Sequence, residues 1–331
     1  MALPCSRLTT ILLLLFLFSA VPLSIIVALE RTKYATHSYE YHSSGWLREC
    51  AKWDDQGRRF LVSKMEGGVA QVVVPTDDGQ APLEEEAVLR DAEVAGNGSL
   101  GIRVDRRRER LLVVHADVGG KRYGALAAYD LRTWERLFLT QLSGPGDEKS
   151  LADDVAVDDA GNAYVTDAES NKIWKVGPTG GIVSTIRSPV FRQRKEWYYN
   201  WVGLNGIVFH PNGFLLVIHT ASGHLFKVDV EKEEISTVEM EGGAGSLRMG
   251  DGLELVSPTR IVVAGIPSGR LVESLDGWDT ARVVGRYAGP MHRWASAATL
   301  KDGKVYLSHL FGGGLSKRKH VIVEASFSPL N

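Results

Sequence analysis

At 331 residues, with 44% apolar and 24% charged side chains and 35 glycines, the chain is rich in turns and too apolar for disorder over most of its length. A formal net charge of −2 with no basic stripe offers a phosphate backbone nothing to grip, which sets nucleic-acid binding aside. Of the two cysteines, Cys5 falls in the first apolar stretch and Cys50 beyond it, so no internal disulfide is expected and Cys50 reads as a small buried hydrophobe.

From the N-terminus, residues 1–29 read as a targeting segment: Arg7, then the apolar run ILLLLFLFSA over 11–20, continued by VPLSIIVAL to Leu29 with Pro22 in the middle. A run of this length just spans a bilayer, so a cleaved signal peptide and an uncleaved signal anchor both stay open, with Ser19, Ala20 and Pro22 favouring cleavage. Either way residues 30–331 are expected to form one domain that is secreted or lumenal, with membrane contact only through the leader. Asn97-Gly98-Ser99 is a glycosylation sequon that such a location would expose to modification.

Beyond the leader, one outline recurs: a short strand, a polar turn, a β-branched strand, a Gly-containing loop, then further alternating strands. The second strands end at Ser63, Val114, Thr166, Ile218, Ala264 and Ser308, at separations of 51, 52, 52, 46 and 44 residues. Third strands begin near Val69, Ala125, Lys172, His224, Gly269 and His320, and fourth strands follow at EAVLRD, ERLFLTQL, GIVSTI, EISTVEM and ARVVGRY in the first five units. The sixth unit has no fourth strand of its own, and an open edge invites aggregation. The alternating segment THSYEYHS at 36–43 precedes the first unit and is predicted to fill that place. Six such units with no helical period between them favour an all-β, six-bladed β-propeller over a sandwich or two smaller barrels.

In that architecture Glu49, Asp153, Asn205 and Asp251 lie just before the inner strands of blades one, three, four and five. Asn-Gly and Asp-Gly pairs are ordinary turn residues. Recurrence at equivalent points, 52 and 46 residues apart from blade three to blade five, is harder to assign to turns. Three carboxylates facing one channel repel unless a cation sits among them, and oxygen ligands from separate rigid blades suit Ca²⁺ ahead of Mg²⁺.

Glu49-Cys50-Ala51-Lys52-Trp53 with Asn205-Gly206 and Asp251-Gly252 at later blade starts resembles the senescence marker protein, gluconolactonase and luciferin-regenerating enzyme family, also called calcium-dependent phosphotriesterase-like, over about residues 45–327. The resemblance implies a catalytic divalent cation held by Glu49, Asn205 and Asp251, with Asp153 where the family carries a further Asn. The chain departs from the family at that Asp and in reading Glu-Cys-Ala where Glu-Gly-Pro is usual. Strictosidine synthase-like propellers and paraoxonases are weaker matches, and the former generally lack the ligand set present here.

A cation in an open channel would polarise a lactone carbonyl or phosphoryl oxygen and acidify water, so the expected substrate is a small lactone or other ester. The base is Asp251 itself, as the resemblance implies, or one of His115 and His219, which with His309 follow second strands and are predicted to rim the same face. The aromatic run Glu196–Trp201 walls a pocket or packs between blades, and Gly312, Gly313 and Gly314 form a loop at the rim. No Gly-x-Ser-x-Gly nucleophile motif occurs. The rival reading is a non-catalytic propeller that binds a ligand or protein on this face.

Overall fold

The computed structural model describes residues 5–76, 82–192, 198, 200–267, 269–314 and 317–330. It comprises two units, Met1–Ala35 and Thr36–Asn331. The first is built on one α-helix, Cys5–Glu30, with Pro22 inside it. Over Thr9–Glu30 this helix is long and apolar enough to cross a membrane, a test that a signal sequence near the N-terminus passes equally.

The second unit is a six-bladed β-propeller. Its inner strands are Arg48–Asp54, Gly98–Asp105, Ala152–Val157, Leu204–His210, Gly250–Ser257 and Ala295–Lys301, each packed against the inner strands of both neighbouring blades. The second strands read as continuous apolar runs because both of their faces are buried. In blade two, Leu111 and Val113 face blade one while Leu112 and Val114 face blade three, as the period of two along a strand requires. Among the described residues the apolar core divides into six clusters, one at each junction between adjacent blades. This leaves the polar starts of the inner strands to line the axis.

The N-terminal strand closes the ring as its alternation predicts. Ser38–Ser43 pairs antiparallel with Arg318–Glu324 of blade six, from Ser38 opposite Val323 to Ser43 opposite Arg318. A short segment of blade one, Leu83–Glu84, then pairs in parallel with this closing strand. Next to it, the buried Arg48 guanidinium forks onto Glu85, with Nε 2.6 Å from Oε2 and Nη2 2.8 Å from Oε1, and reaches Glu66 at 3.0 Å. Bidentate geometry of this kind pins the junction of blades six and one.

One expected strand is divided. EISTVEM forms the outer strand of blade four only over Ile235–Thr237, while Glu239–Met240 crosses to pair in parallel with Thr280–Tyr287, the outer strand of blade five. Val238 between them is buried in the core between these blades, which anchors the crossing. The same outer strand of blade five also receives Ser328–Pro329.

Candidate metal centre at the ring axis

Near its start every inner strand carries an irregularity at the same point. In blade one, Arg48 pairs with Lys64 and Ala51 with Val62, so Glu49 and Cys50 together face Ser63 alone. The same register shift falls at Leu100-Gly101, Asp153-Asp154, Asn205-Gly206, Asp251-Gly252 and Ser296. Each is a β-bulge, which bends the strand and re-aims its side chains. Asn205-Gly206 and Asp251-Gly252, turn signals by composition, are therefore bulges within strands. Hydroxyls on the second strands meet the backbone groups that the bulges release from the ladder: Cys50 N donates to Ser63 Oγ at 3.0 Å, and Asp154 N to Thr166 Oγ1 at 3.1 Å. Thr166 Oγ1 in turn donates to Asn205 O at 2.7 Å, tying blade three to blade four beside the axis.

Glycine at the second bulge position lets blades approach closely. A Cβ at Gly206 would stand 2.2 Å from Asp251 O, one at Gly252 2.7 Å from Ser296 O, and one at Gly101 2.5 Å from the Asp154 Cα. None of these neighbours is a flexible side-chain end that could swing aside.

The structure brings Glu49, Asp153, Asn205 and Asp251 into one electrostatic neighbourhood. Asp153 and Asn205 are buried, while Glu49 and Asp251 keep part of their surface exposed. Burial, followed by the negative charges of Asp251, Asp153 and Asp154, holds the Glu49 carboxyl well above the usual carboxylate range, with Lys52 acting the other way. Burial and then Asp251 and Asp154 do the same to Asp153. Asp251 is pushed up to about 7 by burial and Asp154, against a hydrogen bond from the Asn205 side chain and the charge of Arg270. Two buried oxygens of this ring, Glu49 Oε2 and Ser296 Oγ, have no hydrogen-bond partner. Among the described residues, no group of three or more His, Cys, Asp or Glu side chains is gathered closely enough to hold a metal ion as it stands. The donor chemistry of the ring, carboxylates plus one amide with an orphaned carboxylate oxygen, fits a hard divalent cation.

Three residues on from the bulges, a second charged layer crosses the channel. Lys52 Nζ lies 2.7 Å from Glu254 Oε2 and 2.7 Å from Ala298 O, and Arg103 Nη1 lies 3.4 Å from Glu254 Oε1. Asp154, the second bulge residue of blade three, accepts from Val155 N at 2.8 Å and Ile207 N at 3.2 Å and feels Lys52 and Arg103. Sequence reasoning passed over Lys52, Arg103, Asp154, Glu254 and Ser296. Ser296 had a spacing signal, lying 45 residues after Asp251, but no charge to mark it.

The three histidines occupy matching positions, each opposite the residue just before a bulge: His115 opposite Ser99, His219 opposite Leu204, His309 opposite Ala295. All three are buried. His115 is enclosed within blade two, with Nδ1 3.1 Å from Ser99 Oγ and Nε2 3.4 Å from the Tyr129 hydroxyl, which donates to Asp91. Burial pulls His115 down to about 4 against the charge of Asp91. His309 is pulled to about 3, chiefly by burial, with Nδ1 3.3 Å from Val321 O. His219 is pulled to about 4 by burial and by His224; its Nδ1 meets Ser222 Oγ at 3.1 Å, and its buried Nε2 has no partner. The hydroxyl of the sequon residue Ser99 is buried against His115 and Gly68 N.

Of the aromatic run, Tyr198 and Trp201 are about half exposed, while Glu196, Trp197 and Tyr199 lie outside the described residues. In the glycine loop Gly312 is buried, and a Cβ there would stand 2.4 Å from the His320 ring, so its first residue is packed rather than loose at the rim.

Comparison with known proteins defines the chain by its fold. No protein-family model matches it, and no curated protein matches it in sequence. Solved structures do. The major allergen Mala s 1 of Malassezia sympodialis superimposes with a TM-score of 0.62 at 15% identity, covering 87% of this chain and 96% of the allergen. A luciferin-regenerating enzyme gives a TM-score of 0.56 at 11% identity, covering 89% and 98%. A streptogramin B lyase gives 0.51 at 12% identity, covering 88% and 98%. At such identities the likeness shows the propeller fold alone.

Proposed function

We propose that this chain is a secretory-pathway, metal-dependent hydrolase of a lactone or other small ester, phosphoesters included, with Ca²⁺ held at the ring axis by Glu49, Asp153, Asn205 and Asp251. The observation that carries the reading is the cluster of Glu49, Asp153 and Asp251, contributed by three blades, in which Asp251 and Asp153 raise the proton affinity of Glu49, and Asp251 that of Asp153, around an unpartnered Glu49 oxygen. Buried carboxylates so arranged call for protons or a cation. The resemblance carried by Glu49, Asn205 and Asp251 supports the same ligand set, and the apolar N-terminal helix supports delivery to the secretory pathway.

A bound divalent ion would polarise the ester carbonyl or phosphoryl oxygen and lower the pKa of a water molecule. Asn205 holds the Asp251 carboxylate in place through its side-chain hydrogen bond, orienting it to accept a proton from water. Both ring nitrogens of His115 have neighbours within hydrogen-bond range, so among the histidines His219, with its free Nε2, is the alternative base. The partly exposed edges of Glu49 and Asp251 are where substrate would approach.

The test is turnover of a panel of lactones, aryl esters and phosphotriesters by the purified protein with Ca²⁺ and after chelation. At least one substrate is expected to turn over, with activity lost on chelation and in Glu49→Gln. A folded protein that turns over none of them, or whose turnover is indifferent to both treatments, would leave a ligand-binding propeller instead.

A further inference from the structure

The loops feeding the inner strands carry half-exposed tryptophans. Trp46 stands three residues before Glu49, Trp201 four before Asn205 and Trp294 two before Ser296, with 50%, 49% and 44% of their surfaces exposed. Tryptophan is ordinarily among the more buried side chains. These three flank ring residues on the face where the bulges lie.

Two of them belong to one patch across the junction of blades six and one. The Trp294 ring meets Phe311 edge-on with centroids 5.1 Å apart. Phe311 bridges to Leu47, and Gly312 N donates to Trp46 O at 2.9 Å. The Arg318 guanidinium lies 3.7 Å from the centroid of the Trp46 ring. Met291, more than half exposed, adjoins Trp294 through a backbone hydrogen bond.

Trp294 is also held where a bulky residue is uncomfortable. Its backbone sits at φ 52° and ψ 110°, outside the small left-handed well, a positive-φ conformation that residues with a Cβ rarely adopt. Backbone of this kind persists where surrounding structure enforces it, and it clusters at ligand sites. Burial does not explain the choice of tryptophan, since nearly half the side chain is left in solvent.

We propose that the ligand taken at the ring axis has a flat apolar body, an aryl or similar fused ring system, which Trp46, Trp294 and Phe311 hold while its polar end reaches toward the acid ring. The proposal rests on the hydrolase reading only for that polar end. An aromatic face stacks on such a platform and covers apolar surface.

The test uses 2-acetonaphthone, a ketone that cannot be hydrolysed, titrated calorimetrically into the full-length protein and its Trp46→Ala and Trp294→Gly variants. Binding is expected in the wild type and roughly tenfold weaker in either tryptophan variant. Trp294→Gly is expected to melt no lower than wild type, because glycine, lacking a Cβ, relieves the strain of a positive φ; a tryptophan with a merely structural role would cost stability there. Failure of the wild type to bind, or equal binding by both tryptophan variants, overturns the proposal. A hydrolase that prefers glucono-δ-lactone to 1-naphthyl acetate and ignores both tryptophan changes would sink this proposal alone. Tryptophan-dependent binding by a protein that hydrolyses nothing would sustain it and sink the hydrolase reading alone.

Discussion

Replacing Lys52 with Met is expected to lower unfolding stability by about 3–5 kcal/mol, measured by urea titration at neutral pH. Lys52 and Glu254 are both buried, and the ammonium is 2.7 Å from the carboxylate. Burial is the largest influence on Lys52 and works against its charge, but Glu254, with smaller contributions from Cys50 and Asp154, outweighs it and holds the pKa above the ordinary value. For Glu254, Lys52 and then Arg103 overcome burial and keep the carboxyl below its ordinary value. Without Lys52, Glu254 retains only the longer contact with Arg103, and Asp154 loses the largest opposing charge on it. Removing one partner of a buried pair costs far more than removing both, so Lys52→Met with Glu254→Gln should recover much of the loss. A single-variant loss below about 1 kcal/mol would mean that the layer is solvated and the pair is worth no more than a surface bridge.

Asp251→Asn is expected to stabilise the cation-free protein at pH 8 by about 2 kcal/mol, the opposite of the usual effect of altering a buried polar residue. The Asp251 carboxyl is raised to about 7 when folded, so between roughly pH 4 and pH 7 the native state holds a proton that the unfolded chain has released. The contribution of this group to stability therefore falls as pH rises through that window, and above it the wild type bears the full cost of a charged Asp251. Asparagine has no such proton and keeps an oxygen for Asn205. The advantage of the variant should shrink as pH falls from 8 and vanish near pH 4. His115, His219 and His309 act with the opposite sign, since their folded values of about 4, 4 and 3 mean that the unfolded chain binds more protons below pH 6.5. That destabilises both proteins alike in acid, so the comparison of variant with wild type removes it. A variant less stable than wild type at pH 8 without cation would show that the ring is not under charge repulsion.

Much of this architecture was legible in the residues. The repeating second strands located all six blades, and the alternation of residues 36–43 marked the strand that closes the last one. Glu49, Asp153, Asn205 and Asp251 emerged from aligning the blade starts, and the structure places them together on matching bulges. The bulges themselves were hidden, because Asn-Gly and Asp-Gly carry the same local chemistry in a hairpin turn and in a bulged strand. Lys52, Arg103 and Glu254 were hidden for a different reason: the pairs they form span 202 and 151 residues of sequence, and no short-range pattern reports a contact across the axis. The histidines were aligned correctly as equivalent positions. Equivalence did not reveal that His115 turns its ring to Ser99 and Tyr129 within its own blade, because the direction of a side chain beside a bulge depends on a register that the sequence does not display.

The most direct test is calorimetric titration of Ca²⁺ into the purified, chelator-treated protein and its Asp251→Asn variant, with elemental analysis of the protein as isolated. The account predicts one ion per wild-type chain and none in a variant that is folded and, without cation, more stable. A wild type that binds no ion, or a variant that binds it as well as the wild type does, would contradict a cation site at the ring axis.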